Sequence, residues 1–137
     1  SSNPENHQIM TELREEKINR VANDIPLQEI YGDKNADLLV VSWGGTFGTV
    51  RTAVEGLMEE GKSIAHAHFD YIMPLPRNTE EVLKGHKKIV VCEINRGQFA
   101  KYLRMNFPEY KCEQFNKVMG LPFTIGELEA KFNDLLK

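Results

Sequence analysis

Two short polar stretches hold most of the residues with chemical potential. The first is Ser42-Trp43-Gly44-Gly45-Thr46-Phe47-Gly48-Thr49, and the second is Glu93-Ile94-Asn95-Arg96-Gly97-Gln98. Glycines let backbone amides approach an anion closely, and a helix N-terminus adds partial positive charge, so the first stretch invites a phosphate-cradle reading. The spacing of Gly44, Gly45 and Gly48 fits GxGxxG in no frame, and no Gly-Lys-Ser/Thr follows, which excludes a Walker loop. Three readings stay open: a tight structural turn with close helix–strand packing, a site for an anion or nucleotide moiety, and a protein interface. On the structural reading, Gly45→Val destabilises the fold. The second stretch brings a carboxylate, Glu93, to the mouth of any crevice between the two turns. There it can hold another subunit's amides or a ligand hydroxyl, or Glu93 and Asn95 can cap loop backbone.

His66 and His68 sit two apart, on one face of a strand, as metal-binding pairs can. No third ligand is near in sequence, so a half-buried pair with hydrogen-bonded rings is the expected state and no metal site is assigned. Cys92 and Cys112 form neither a CxxC nor a disulfide framework. They read as inert packing residues in a reducing, cytoplasmic setting, and an iron–sulfur cluster on this chain is not expected. No G-x-S-x-G occurs, and no nucleophile–base pair can be named, so no catalytic residue is assigned.

The elements that must position these residues follow from the apolar pattern. Leu38 to Val41 run without a polar break, as does Ile89 to Cys92, which is how strands read when both faces of a parallel sheet are covered. Each run leads through a polar turn into a helical pattern, over 49–60 and 97–106, the opening of an α/β unit. Gly61 is the natural C-cap of the first helix, and Pro108 breaks the second. Strands are predicted at 27–31, 38–42, 63–69, 88–93 and 110–115. A short helix follows Asn78 or Thr79, and a final helix is capped by Thr124 with Glu127 three residues on. Residues 1–26 read as an N-terminal connector helix, begun by Asn3-Pro4 and ended at Ile25-Pro26, and residues 27–137 as one α/β domain. If the strands ending at the two turns are neighbours at a reversal of strand order, the turns flank one crevice.

The 137 residues are 41% hydrophobic and 27% charged, with a net charge of −3. That balance suits one globular domain and supplies no basic excess for nucleic acid. No apolar run has transmembrane length, and no membrane association is expected. The chain begins Ser1-Ser2-Asn3-Pro4 without Met, which points to a processed chain or a fragment.

A set of motifs taken together resembles a known family. They are Pro4-Glu5-Asn6-His7-Gln8 with Met10-Thr11-Glu12-Leu13-Arg14, Ser42-Trp43-Gly44-Gly45-Thr46-x-Gly48, and His66-x-His68-Phe69. Pro74-Leu75-Pro76-x-Asn78, Glu93-x-Asn95-x-Gly97-Gln98 and Gly120-x-Pro122-Phe123-Thr124 continue the series. In order and spacing they resemble the C-terminal portion of the α subunit of 2-oxoacid:ferredoxin oxidoreductases, most closely the 2-oxoglutarate branch. The resemblance implies a transketolase C-terminal-like domain: a three-layer α/β/α sandwich with a five-stranded mixed sheet, order 1-3-2-4-5, strand 1 antiparallel. It implies a holoenzyme that uses thiamine diphosphate, Mg²⁺ and iron–sulfur clusters to convert a 2-oxoacid and coenzyme A to acyl-CoA and CO₂, reducing ferredoxin. The implied partners are the other domains of the α subunit, the β subunit and, through the holoenzyme, ferredoxin. The cofactors are expected elsewhere, and the chain is expected to fold alone and to be inactive alone.

The crevice residues Gly44, Gly45, Thr46, Gly48, Thr49, Glu93, Asn95, Gly97 and Gln98 then serve assembly, and a variant of this reading gives them a share in binding coenzyme A or another anionic substrate. A stand-alone small-molecule or nucleotide-binding module is the alternative, and a small independent enzyme is the weakest reading.

Overall fold

The computed structural model describes residues 24–94, 96–117 and 119–137. The connector helix read over residues 1–26 lies outside them but for its last residues, as does the first group of family-like motifs. Four strands form one parallel sheet: β1 (Leu38–Trp43), β2 (Ile64–Phe69), β3 (Lys88–Glu93) and β4 (Cys112–Asn116), in the order β2-β1-β3-β4. The helices are α1 (Phe47–Glu59), α2 (Thr79–Leu83), α3 (Gln98–Asn106) and α4 (Ile125–Leu135).

Side chains on a strand alternate between faces, and this alternation builds two cores. Leu38, Val40, Ile64, Val90 and Cys92 meet Val50, Ala53, Val54 and Leu57 of α1 and Leu128 and Phe132 of α4. Leu39, Val41, Ala65, Ala67, Ile89 and Val91 meet Val82 and Leu83 of α2 and Phe99, Ala100 and Leu103 of α3. The result is three layers, with the unbroken apolar runs of β1 and β3 covered on both sides. Each fully buried leucine here contributes on the order of 1.5–3 kcal/mol.

The expected five-stranded mixed sheet is corrected to four parallel strands. Residues 27–31 make only one antiparallel bridge, Tyr31 to His66, at the outer side of β2. Side-chain amides replace the rest of the ladder. The Gln28 amide donates to Asn78 Oδ1 (2.8 Å), and Asn78 Nδ2 donates to the Gln28 carbonyl (3.0 Å). Gln28 Nε2 in turn donates to the His68 carbonyl (2.8 Å). The His68 carbonyl, which the Glu29 amide would take if the ladder ran on from the Tyr31–His66 pair, is engaged by the Gln28 side chain instead.

β1 lies between β2 and β3. The chain leaves β1 through α1 toward β2 on one side, and leaves β3 through α3 toward β4 on the other. The strand order therefore reverses between β1 and β3, and the two polar turns stand side by side at their carboxyl ends.

The glycine turn is more helical than the sequence suggests. Gly44–Thr46 form a short 3₁₀ turn that runs directly into α1 at Phe47. Gly44 has φ +70°, and no positive φ is found at Gly45 or Gly48. A Cβ at Gly45 meets nothing within 4 Å. The expectation that Gly45→Val is destabilising through packing or positive φ is thus corrected, because only Gly44 needs glycine's freedom. The final helix begins as expected, with Thr124 Oγ1 accepting from the Glu127 amide (3.2 Å). In thermal unfolding, Gly44→Ala is expected to cost about 1 kcal/mol, since a side chain is strained at positive φ. Gly45→Ala is expected to leave the melting temperature unchanged or slightly raised. Equal losses at both positions contradict this assignment.

Candidate functional site

Alternation along β1 sends its last two side chains to opposite faces, and each organises a polar cluster. Trp43 turns toward α3. Its indole Nε1 donates to Glu93 Oε1 (2.9 Å), and its ring packs edge-on against Phe99 at 6.2 Å. Glu93 is fully buried. The same carboxylate accepts from the Phe99 amide at Oε1 (2.8 Å) and the Ala100 amide at Oε2 (3.0 Å). These are first-turn amides of α3, which have no partner within their own helix. All three partners are donors, so Glu93 acts purely as an acceptor, matched to the positive end of a helix. Glu93 therefore caps backbone, one of the two roles the sequence left open, and its oxygens are turned inward.

The other candidate residues surround this clamp. Gly44, Gly45 and Gly48 are exposed, Thr49 is half-buried, and Thr46 is buried with its hydroxyl donating to the Trp43 carbonyl (3.0 Å). Gly97 precedes α3 with φ +81°, and a Cβ there collides with Gln114 Oε1 and approaches Asn116 Nδ2 at 3.0 Å. Gln98 opens α3 and is exposed. Asn95 lies outside the described residues. The two turns are thus brought together through Trp43 and Glu93.

Ser42 turns the other way, toward α1. In the β1–β2 register it stands opposite His68, and Val40 opposite His66. Ser42 Oγ lies 2.6 Å from His66 Nε2 and 2.8 Å from His68 Nδ1. Arg51 Nε of α1 donates to His66 Nδ1 (2.9 Å). An arginine can only donate, so His66 Nδ1 is bare and its proton sits on Nε2. That proton goes to Ser42 Oγ, the Ser42 hydroxyl proton goes to His68 Nδ1, and His68 keeps its proton on Nε2. The row runs in one direction, Arg51 to His66 to Ser42 to His68, with every polar atom inside it satisfied. Phe47 lies stacked on the His66 ring (6.0 Å) and edge-on to the His68 ring (5.0 Å). The histidine pair is therefore a hydrogen-bonded pair, as expected. Ser42 and His66 are fully buried, so no substrate carbonyl reaches the serine oxygen.

Burial, and then the Arg51 charge, push the His66 pKa down to about 3. Burial also lowers that of His68, opposed by the Asp70 carboxylate and assisted by Arg51. Burial raises both thiols, that of Cys112 to about 11, which keeps them as unreactive thiols at neutral pH. Among the described residues, no three of His, Cys, Asp and Glu gather as a metal site. None of the described helices is long and apolar enough to cross a membrane.

Beyond the histidine row lies a groove of about 710 Å³, lined by Leu27, Tyr31, Phe47, Arg51, His68, Asp70 and Tyr71 among others. It stands beside β2 on the α1 side of the sheet, away from the Glu93 clamp. Sequence reading missed this site. The signals were the Ser42–His68 register, which needs the strand pairing, and Arg51, one helical turn after Phe47.

The arrangement defines a doubly wound α/β domain of transketolase C-terminal-like fold. That likeness extends to a split-gene transketolase in its inactive β4 tetramer, at TM-score 0.56 and 17% identity over 74% of this chain and 39% of that one. No protein-family profile matches the chain. Over its length the chain is related to the α subunits of 2-oxoacid:ferredoxin oxidoreductases. It is 35% identical over 129 residues to 2-oxoglutarate oxidoreductase subunit KorA of Mycobacterium tuberculosis, which covers 93% of this chain and 19% of that protein. It is 30% identical over 142 residues to 2-oxoacid:ferredoxin oxidoreductase 2, subunit alpha, of Aeropyrum pernix, covering 100% of this chain and 22% of that protein. Among solved structures, the 2-oxoglutarate:ferredoxin oxidoreductase of Magnetococcus marinus, with 2-oxoglutarate, coenzyme A and succinyl-CoA bound, superposes with TM-score 0.89 at 27% identity. That match covers 100% of this chain and 24% of the other. The chain thus spans about a fifth of the curated relatives it matches.

Two outcomes test this geometry. Glu93→Gln keeps the shape but turns an amino group toward a backbone donor, and is expected to cost about 2–4 kcal/mol in denaturant unfolding. A change near zero contradicts the clamp. For pH, His66 is harder to protonate folded than unfolded, so the unfolded state binds more protons between about pH 3 and 6.5. Stability present above pH 6.5 is therefore lost as pH falls through that window, at up to about 1.4 kcal/mol per unit from this one group. His66→Gln is expected to flatten the dependence, and an unchanged slope contradicts the assignment.

Proposed function

We propose that this chain is an accessory and assembly domain of the α subunit of a 2-oxoacid:ferredoxin oxidoreductase, most closely of the 2-oxoglutarate type. The holoenzyme would convert the 2-oxoacid and coenzyme A to acyl-CoA and CO₂ and reduce ferredoxin. The observation that carries the reading is the superposition of the whole chain on about a quarter of the Magnetococcus marinus enzyme chain. The internal chemistry supports the accessory role. The carboxylate at the crevice is engaged by three internal donors, and the serine between the histidines is sealed from solvent.

An iron–sulfur cluster, one of the groups such an enzyme uses, does not fit the two cysteines of this chain. Cys92 and Cys112 pack into opposite cores, on opposite faces of the sheet, so they cannot share an iron–sulfur cluster. We assign those groups to other domains of the α subunit and to the β subunit, and the assembly to the cytoplasm, where two unpaired thiols are stable. The exposed residues of the first turn, Gly44, Gly45 and Gly48, with half-buried Thr49 and exposed Gln98, form the surface that faces those partners or a part of coenzyme A, and buried Gly97 sets the turn behind it. Residues 27–137 would be the folding unit.

The test is reconstitution of the full-length α subunit with its β subunit under anaerobic conditions. Coenzyme A-dependent ferredoxin reduction by 2-oxoglutarate is expected, and deletion of this segment is expected to abolish both turnover and co-purification of the two subunits. A deletion variant that assembles and turns over normally contradicts the proposal.

A further inference from the structure

The groove beside β2 holds two donors that the rest of the fold has fixed in place. Arg51 Nε is tied to buried His66, and its guanidinium lies 4.0 Å from the Tyr31 ring centroid and 4.8 Å from that of Phe47. Its Nη groups have no hydrogen-bond acceptor among the described residues. His68 accepts from Ser42 at Nδ1, so its Nε2 carries a proton. The nearest carboxylate, Asp70 Oδ1, is 3.9 Å from that nitrogen, beyond hydrogen-bond length. Both residues line the groove. A rigid arginine fork beside a neutral imidazole N–H matches the in-plane oxygens of a carboxylate or phosphate. Tyr31, Phe47 and Tyr71, each partly exposed, supply apolar walls for the carbon body that carries them.

We propose that this groove binds a small organic oxyanion, with Arg51 and His68 as its anchors. The row Arg51–His66–Ser42–His68 is the positioning framework. It fixes the arginine's rotamer at one end and the imidazole tautomer at the other, so neither donor must be ordered when the ligand arrives. The site is distinct from the Glu93 crevice and does not rest on the oxidoreductase assignment.

Calorimetric titration of the full chain at low salt tests the proposal, with inorganic phosphate and succinate as separate probes. Saturable binding of either supports it, and preference for one identifies the oxyanion as phosphate or carboxylate. Arg51→Gln is expected to weaken binding about tenfold or more, the scale of a lost charged contact. Because Arg51 also supports His66, that variant can lose its fold, so Asp70→Asn is the deciding one. Asp70 is exposed and opposes an incoming anion. Its neutralisation is expected to tighten binding several-fold, a gain that misfolding cannot produce. Absence of saturable binding for both probes, or unchanged or weaker binding in Asp70→Asn, overturns the proposal.

Discussion

One buried carboxylate holds the carboxyl end of this sheet together. Glu93 sits where the strand order reverses, a place where such folds leave a crevice, and it closes that crevice from within. Burying a carboxylate is costly unless its oxygens are fully engaged. Here an indole N–H from β1 and two first-turn amides of α3 meet that demand. The same contacts satisfy amides that the helix cannot satisfy itself. Removing the carboxylate therefore leaves a helix start and an indole unpaired together, which makes the three elements one unit.

The alternation of side chains along a strand explains why two polar clusters coexist without interfering. Trp43 carries β1's influence to the α3 face and Ser42 carries it to the α1 face. One cluster joins strand to helix and faces inward. The other builds a directional row of hydrogen bonds whose last donor opens onto a groove. The run of β1 that leads to both, Leu38 to Val41, is apolar and completely buried. Architecture and recognition are thus assigned to opposite faces at the same end of the same strand.

Much of this was legible in the sequence. The unbroken runs at 38–41 and 89–92 marked central strands, and the two-residue spacing of His66 and His68 put both rings on one strand face, where Ser42 meets them. The adjacency of the two turns also followed from the family-like order. What failed did so for local reasons. Residues 27–31 have strand-like composition, yet the Gln28 side chain takes the His68 carbonyl that a longer ladder needs, and Asn78, 50 residues on, holds the Gln28 backbone. The three glycines suggested a tight turn that depends on glycine, whereas two of them sit in ordinary helical backbone and only Gly44 has positive φ. The serine–histidine row was invisible because it depends on register between β1 and β2, and on a helix placing Arg51 over that register. Neither is encoded in local spacing.

The Glu93 clamp is most directly tested by amide hydrogen exchange at the start of α3. The amides of Phe99 and Ala100 precede the first intrahelical bond, from the Lys101 amide to the Gly97 carbonyl, and an ordinary helix leaves such amides to solvent. If Glu93 holds them, they exchange as slowly as the amides in the body of α3. If they exchange at the rate of unpaired first-turn amides, the carboxylate is not the structural centre of this site.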